Sequence, residues 1–537
     1  MKRGTGRLLL LASAVLCTAS GKPSSYRFAD KEPVQEADDR RPIAVPQAAD
    51  FHKMFYFVDV VVRRPAVRSL APAPVRSSRD VNALDEMPSS SWFTPRLGAR
   101  ELSPEEMLRG PAAVGSPQLP IRVLKAKPQG NPGFVIADAR GKKYIVKFDP
   151  PEFPGIETTT AFVVNRLFWS FGYNVPEDFT FYLRREELEV APGSQYTEAD
   201  VDKVLSLVAP PVDGRYRATA SLLIDGVYLG PTMDRGVRED DPNDGIPHEE
   251  RRVLRALRVF GAFLNHSDMR VDNAGDFYQG EAGQGHVEHY LLDFGEAFGG
   301  HGAEHGYPWD GFEHYFSYRA AAHNFVTLGL DVHPWEHIVP TPWKSVGMFE
   351  STTFDPATWK EVYPFEPMRR SQPADDYWAA KIVARLTHEQ LQALVQAAGY
   401  PEPGAGDYVL QTLWERRRKV LGYFMRQVTP VDAVGVEGEM LQLVDMGRRF
   451  AALTPTAYEV RFWDGEGSEL QMHSENLPAG TGDVLELPIP VSLRERAHGY
   501  LRVDLRAHWG DAAAPSPAQF HLRFDGQGEP RVVGIVH

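Results

Sequence analysis

"HYLLDFGEAF", His289–Phe298, carries Asp293-Phe294-Gly295 at its centre. Two readings of this triplet compete. Asp293 holds a metal ion against a nucleotide, or a strand simply runs out into a glycine turn. Three letters decide nothing alone, so the residues upstream must. "HSDMRVDN", His266–Asn273, places His266, Asp268 and Asn273 in the spacing H-x-D-x-x-x-x-N. Between the two stretches lies "DFYQGEAGQGHVEHYLLDF", two strand-like runs around a Gly-rich turn, which predicts a hairpin. Before them lies "HEERRVLRALRVFGAFLNH", which predicts a long helix. Leu254, Ala256, Leu257, Phe260, Gly261 and Leu264 mark its buried face, and Arg251, Arg252, Arg255 and Arg258 the other. Further upstream, "YIVKF" sets Lys147 in the middle of a strand, after two earlier strand-like runs.

The order of these pieces has a chemical meaning. Phosphoryl transfer from a nucleotide requires a lysine on the phosphates, oxygen ligands for Mg²⁺, and a base beside the acceptor hydroxyl. Magnesium takes few protein oxygens and keeps several waters, so one Asp and one Asn from two loops suffice. Singly, each motif has a plain reading: a polar helix end, a hairpin ending in a turn, a lysine on the solvent face of an alternating strand. Together and in this order they point to one chemistry.

The set resembles the protein-kinase-like superfamily over about residues 120 to 428. "YIVKF" and a compact N-lobe are more similar to HipA-type and phosphatidylinositol-type kinases than to ordinary Ser/Thr kinases. "DDPNDGIPHEERRVLRALRVFGAFLNHSDMRVDN" and "DEMPSSSWFTPRLG" also resemble segments of exported bacterial proteins, a likeness that adds no substrate. The resemblance implies that Lys147 binds the α- and β-phosphates and that Asp268 is the catalytic base, with His266 beside it in the same motif. It implies Asn273 and Asp293 as Mg²⁺ ligands, with Mn²⁺ as a substitute. Gly130 and Gly133 of "PQGNPG" stand where a phosphate-covering loop belongs. The stretch is not G-x-G-x-x-G, and Pro132 has no N–H to donate. Glu157 is the candidate partner of Lys147. It follows that lysine by only ten residues, in the first turn of a helix, where a carboxylate also stabilises the dipole. No A-P-E follows Asp293, so no ordinary peptide-docking segment is inferred.

With 537 residues the chain is long enough for two to four domains. It is 43% hydrophobic and 24% charged, a globular composition. A net charge of −14 argues against a broad nucleic-acid surface. Lys2, Arg3 and Arg7 precede the apolar "LLLLASAVLC" and the small residues "TASG", the pattern of an export signal. Cys17 is the single cysteine. "AVLC" resembles a lipobox with Leu16 in place of the usual small residue, so lipid attachment at Cys17 and plain cleavage after Ala19 or Gly21 both remain open. The expected address is the periplasm, the outer membrane through an N-terminal lipid, or the exterior. No later run approaches the ~18 apolar residues of a membrane span.

The expected fold class is α+β. It comprises a signal over residues 1–20, a linker over 21–50, an N-terminal extension over 51–119, a small β-rich N-lobe over 120–230, a mainly helical C-lobe over 231–428 and an all-β, sandwich-like domain over 429–537. "MFYFVDVVVRR" (Met54–Arg64) is β-branched and aromatic and predicts a strand. "IRVLKAKP", "FVIADARG", "KKYIVKF", "DFTFYLR" and "ATASLLIDGVYLG" predict the N-lobe strands, and "IETTTAFVVNRLFWSF" its helix, stopped by Gly172. Ser103 and Thr387 predict helix caps, the latter in a capping box with Gln390. Residues 300–370 show no clear period. His301, His305 and His314 there match no zinc spacing and read as a solvated loop. The expected function is an exported ATP- and Mg²⁺-dependent phosphotransferase acting on a hydroxyl of a protein, lipid or glycan. The alternative is a catalytically inactive pseudokinase-type scaffold of the envelope.

Overall fold

A computed structural model describes residues 27–537 except 71–73, 128–130, 302–304, 479–481, 511–512 and 526–527. The export signal, Cys17 and Gly130 therefore lie outside the described residues. The described residues form a mixed α+β architecture with four sheets.

The first sheet contains β1 (Ile121–Ala126), β2 (Gly133–Ala137), β3 (Lys143–Phe148), β4 (Asp178–Leu183), β5 (Leu188–Val190) and β6 (Tyr216–Leu222) in the order β4-β6-β3-β2-β1-β5. All pairs are antiparallel except β1 with β5. Alternation explains its two faces. Tyr144, Val146 and Phe148 of β3 pack into one apolar cluster with Val201 and Leu205 of the helix Glu198–Leu205. Lys147 must then point to the opposite face. On that side runs the helix Ile156–Phe171, with most of its residues buried. Asp149 caps it by accepting the backbone N–H groups of Glu157 and Thr158, each at 3.0 Å. Gly172 ends it at φ +128°, where a Cβ would lie 2.2 Å from the Phe93 ring.

A second sheet, β7 (Val227–Pro231), β8 (Ala274–Gln279) and β9 (His286–Leu291), is ordered β7-β8-β9. β8 and β9 are the expected hairpin, in register from Ala274↔Leu291 to Gln279↔His286. The helices Leu257–Leu264, Pro373–Ala384, His388–Ala398 and Ala405–Phe424 share the largest core with the Ile156–Phe171 helix. Thr387 and Gln390 form the expected capping box, as do Ser103 and Glu106 upstream.

The C-terminal residues form β10 (Val431–Glu437), β11 (Met440–Asp445), β12 (Ala457–Asp464), β13 (Glu469–Pro478), β14 (Val484–Pro488), β15 (Tyr500–His508), β16 (Ala518–Phe524) and β17 (Pro530–Val536). One sheet is ordered β10-β11-β14 and the other β13-β12-β15-β16-β17. Val431, Leu441 and Leu487 of the first meet Val460, Val503 and Phe520 of the second in one core. Asp432 ties these strands to the helices, accepting from Tyr377 Oη at 3.0 Å and Lys381 Nζ at 2.9 Å.

Several expectations change. Met54–Arg64 is helical, not a strand: Lys53–Val58 and Arg64–Leu70 are α-helical around a π-helical Asp59–Arg63. Tyr56, Val60, Val61 and Arg64 are its buried residues, a helical spacing, and Arg64 binds Asp234 through two bonds of 2.5 and 2.9 Å. Tertiary burial outweighs β-propensity here. The expected long helix over 248–264 is broken into a 3₁₀ turn, His248–Glu250, and the α segments Arg252–Arg255 and Leu257–Leu264. Three of its four arginines do not face solvent. Arg251, Arg252 and Arg255 are buried because distant acids meet them. Arg251 pairs with Asp244 at 2.6 Å, Arg252 with Asp85 at 2.6 Å, and Arg255 with Asp375 at 3.2 Å. "ATASLLIDGVYLG" divides at Gly226 (φ +96°) into β6 and β7 of different sheets. The helices Pro373–Ala384 and Tyr318–Thr327 and the strands β10, β11 and β13 were not anticipated.

Candidate functional site

Lys147 sits at the meeting point of three elements. Its Nζ lies 2.5 Å from Asp293 Oδ1 and 3.4 Å from Glu157 Oε1. The strand β3 supplies the lysine, the first turn of the Ile156–Phe171 helix supplies Glu157, and the chain leaving β9 supplies Asp293. The described residues flanking β1 and β2, Lys127 and Asn131, approach the group. Asn131 Nδ2 donates to Glu157 Oε2 at 3.4 Å, and Lys127 feels both carboxylates. Gly133 lies opposite Lys147 in the ladder. Packing accounts for the glycine there, since a Cβ would meet the Val146 carbonyl oxygen at 2.0 Å.

The Asp293-Phe294-Gly295 triplet fits as a unit. Asp293 adopts φ +57°, and its side chain is 43% exposed. Phe294 is buried and stacks on Phe168 of the Glu157 helix, ring centroids 5.4 Å apart. Gly295 leaves room for Glu157, whose carboxylate atoms would lie 2.2 Å from a Cβ. The same helix therefore fixes both the lysine's second partner and the position of the triplet.

The loop His266–Asn273 lies against it. Leu292 N–H donates to the Asn273 carbonyl at 2.8 Å, which brings Asn273 beside the residue preceding Asp293. Asn273 Nδ2 donates to the Asp268 backbone oxygen at 2.6 Å and to its Oδ2 at 2.8 Å. Arg270 donates to the other Asp268 oxygen and to Asp272 Oδ1, the latter at 2.7 Å. His266 is buried between Phe168 and Phe294. Burial pushes its imidazole down to about 4, so it is neutral and supports both loops from behind. Glu296, three residues past Asp293, is near enough to act on Asp268 electrostatically.

Electrostatics divide the carboxyl groups. One ammonium cannot satisfy two carboxylates equally. Burial opposes the charge on Asp293, but the close Lys147 outweighs it and lowers this group. Burial pushes Glu157 up to about 7, with the more distant Lys147 only partly offsetting it. Burial, followed by the charge of Glu296, holds Asp268 well above the usual carboxylate range despite Arg270. The carboxyl groups of Glu157, Asp268 and Asp293 thus outnumber the cations Lys147 and Arg270, a surplus of hard oxygen donors. Among the described residues no three His, Cys, Asp or Glu form a ready-made metal cluster. The donors Asp293 and Asn273 nevertheless have the chemistry of a water-retaining Mg²⁺ site, which needs only one or two carboxylates.

Glu157 yields a pH prediction. Its pKa is raised on folding, so the stability it contributes is present in acid and lost as pH rises through about 7. Glu157→Gln, neutral at every pH, should remove a loss on the order of 1–3 kcal/mol. Thermal denaturation on both sides of neutrality checks this. A slope identical to that of the parent protein contradicts it.

Lys147, Glu157 and Asp293 meet directly, with Gly133 opposite Lys147 in the ladder, and Asp268 and Asn273 form a second bonded pair joined to them through the Leu292–Asn273 backbone bond. The sequence reading did not single out Glu296, Arg270, Lys127 or Asn131. Glu296 and Arg270 lie within three residues of motif positions, and that adjacency was the available signal. No family model, no curated protein and no solved structure matches the chain.

Proposed function

We propose that the protein is a kinase-like phosphotransferase that moves the γ-phosphoryl group of ATP to a hydroxyl acceptor. In this reading residues 120–230 and 231–428 act as the two lobes, and residues 429–537 as a β-sandwich appended to them. The observation that carries it is the ion pair of Lys147 with both Glu157 and Asp293. A lysine held mid-strand by a helix carboxylate is pre-positioned for phosphate oxygens at no further ordering cost. Asp293 and Asn273 would hold Mg²⁺, which neutralises phosphate charge when bound. Asp268 lies beside them to accept the acceptor's proton. Arg270, on the same carboxylate, supplies a planar cation for the transferred phosphoryl oxygens. The test is thermal denaturation with and without ATP and Mg²⁺, together with autophosphorylation. Stabilisation by nucleotide is expected, and its absence with both Mg²⁺ and Mn²⁺ defeats the reading.

A second reading, a pseudokinase-type envelope scaffold, draws on one observation. Asp293 and Asp268 are each already paired with a cation of the protein itself, so the closed network is self-sufficient. Nucleotide binding with no transfer, unchanged by Asp268→Asn, would favour it.

A further inference from the structure

Next to the Asp268 loop opens a cavity of about 490 Å³, within the size range of small-molecule sites. Its apolar walls are Met54, Tyr56 and Phe57 of the N-terminal helix and Tyr363 from the far side. Its polar end is Lys53, Asp272 and Arg270. Lys53 Nζ lies 3.6 Å from Asp272, Asp272 accepts from Arg270 at 2.7 Å, and Arg270 binds Asp268. A row of alternating charges therefore leads from the cavity to the candidate base. The opposite wall is tied to the same loop. Val362 N–H donates to the Ser267 carbonyl at 2.8 Å, and Tyr315 N–H to the Val362 carbonyl at 2.9 Å. The rings of Phe57, Tyr363 and Tyr315 follow one another at 5.8 and 5.3 Å. The mouth is apolar: Met54 is 71% and Phe55 74% exposed on the helix, and Phe316 45% on the facing loop.

We infer that this cavity binds the apolar body of an amphipathic alcohol and presents its hydroxyl to Asp268, an inference that rests on the phosphotransfer reading. The walls favour this chemistry. A glycan needs many hydrogen-bonding partners, and a peptide needs backbone donors and acceptors. Apart from the two tyrosine hydroxyls and the charged end, the walls offer rings and a thioether, which match an acyl chain. The charged end fits the headgroup. In the transfer the alcohol oxygen forms a bond to the γ-phosphorus and the bond to the bridging β–γ oxygen breaks. ADP leaves, and the hydroxyl proton passes to the Asp268 carboxylate.

Dioctanoylglycerol is a suitable probe. Equilibrium dialysis of the full chain against radiolabelled dioctanoylglycerol should show saturable binding. Met54→Glu and Phe57→Ser, both in the cavity wall, should weaken it about tenfold or more. Val434→Glu, at a distant 72% exposed position, should not. Absence of saturable binding, or binding indifferent to the two wall variants, overturns the inference. With ATP present, phosphate should enter dioctanoylglycerol. Entry instead into a serine peptide or maltotriose overturns the assignment of the cavity while leaving the phosphotransfer reading intact. Stabilisation of the same wall variants by ATP is read separately, so failure of nucleotide binding is distinguished from failure of the cavity.

Discussion

Lys147→Met is expected to abolish nucleotide-dependent stabilisation and to lower phosphoryl transfer by roughly 10²–10³ or more, the size of effect seen when one pre-positioned electrostatic donor is removed. Lys147 is an ammonium shared by Asp293 at 2.5 Å and Glu157 at 3.4 Å. Methionine matches its length and keeps its stem packed, but it leaves the two carboxylates facing each other. Glu157 is buried and loses this cation, whereas Asp293 stays partly exposed to water, so the variant should also unfold at a lower temperature, by less than the full cost of breaking a buried pair. Glu157→Gln in the same background should recover part of that loss, because it removes one of the two stranded carboxylates. Nucleotide binding should not return with it. That split separates a phosphate-binding lysine from one that merely holds the fold together.

Asp268→Asn should do the reverse to stability while still removing activity. The amide keeps the shape of the carboxyl group but cannot accept the acceptor's proton, so kcat should fall by about 10²–10⁴. Burial and Glu296 hold Asp268 well above its ordinary range. Stability that depends on the neutral acid is present at low pH and lost as pH rises through the folded-state value. The asparagine variant does not titrate, so it should melt with the parent protein in mild acid and above it in mild alkali. A difference on the order of 1 kcal/mol corresponds to about 2 °C. Melting curves at the two pH values check it. A variant less stable than the parent at both would show that Asp268 is held as a charged partner of Arg270, not as a strained carboxyl group.

The candidate site was legible in one respect and illegible in another. Lys147, Asp268, Asn273 and Asp293 could be read because their meaning lies in order and spacing along the chain, which folding preserves. Glu296 and Arg270 read as ordinary polar neighbours. Their importance arises from which groups the loops bring near, and no local pattern records that. The same limit explains the arginines of 251–255. A charged residue on an amphipathic stretch is normally solvated. Here Asp85, Asp244 and Asp375, all distant or outside the helix, bury those residues by pairing with them. The strand expected at Met54–Arg64 failed for a related reason. Val60 and Val61 have β-propensity, but Arg64 reaches Asp234 and Tyr56 reaches the main core only from a helix. By contrast β1–β3, the Glu157 helix, the β8–β9 hairpin and the Thr387 cap were legible, since alternation, helical period and caps are short-range signals. Glu157 stood between two readings in the sequence. The 3.4 Å approach of its carboxylate to Lys147 makes it a partner of the lysine as well as a first-turn acid.

In the phosphotransfer reading, Lys147, Glu157 and Asp293 form a nucleotide-phosphate site. Calorimetric titration of ATP with Mg²⁺ into the full chain and into Lys147→Met tests it most directly. Saturable binding by the parent protein that requires the divalent cation and disappears in the variant is expected. Equal binding by both proteins, or none by the parent with either Mg²⁺ or Mn²⁺, would contradict it.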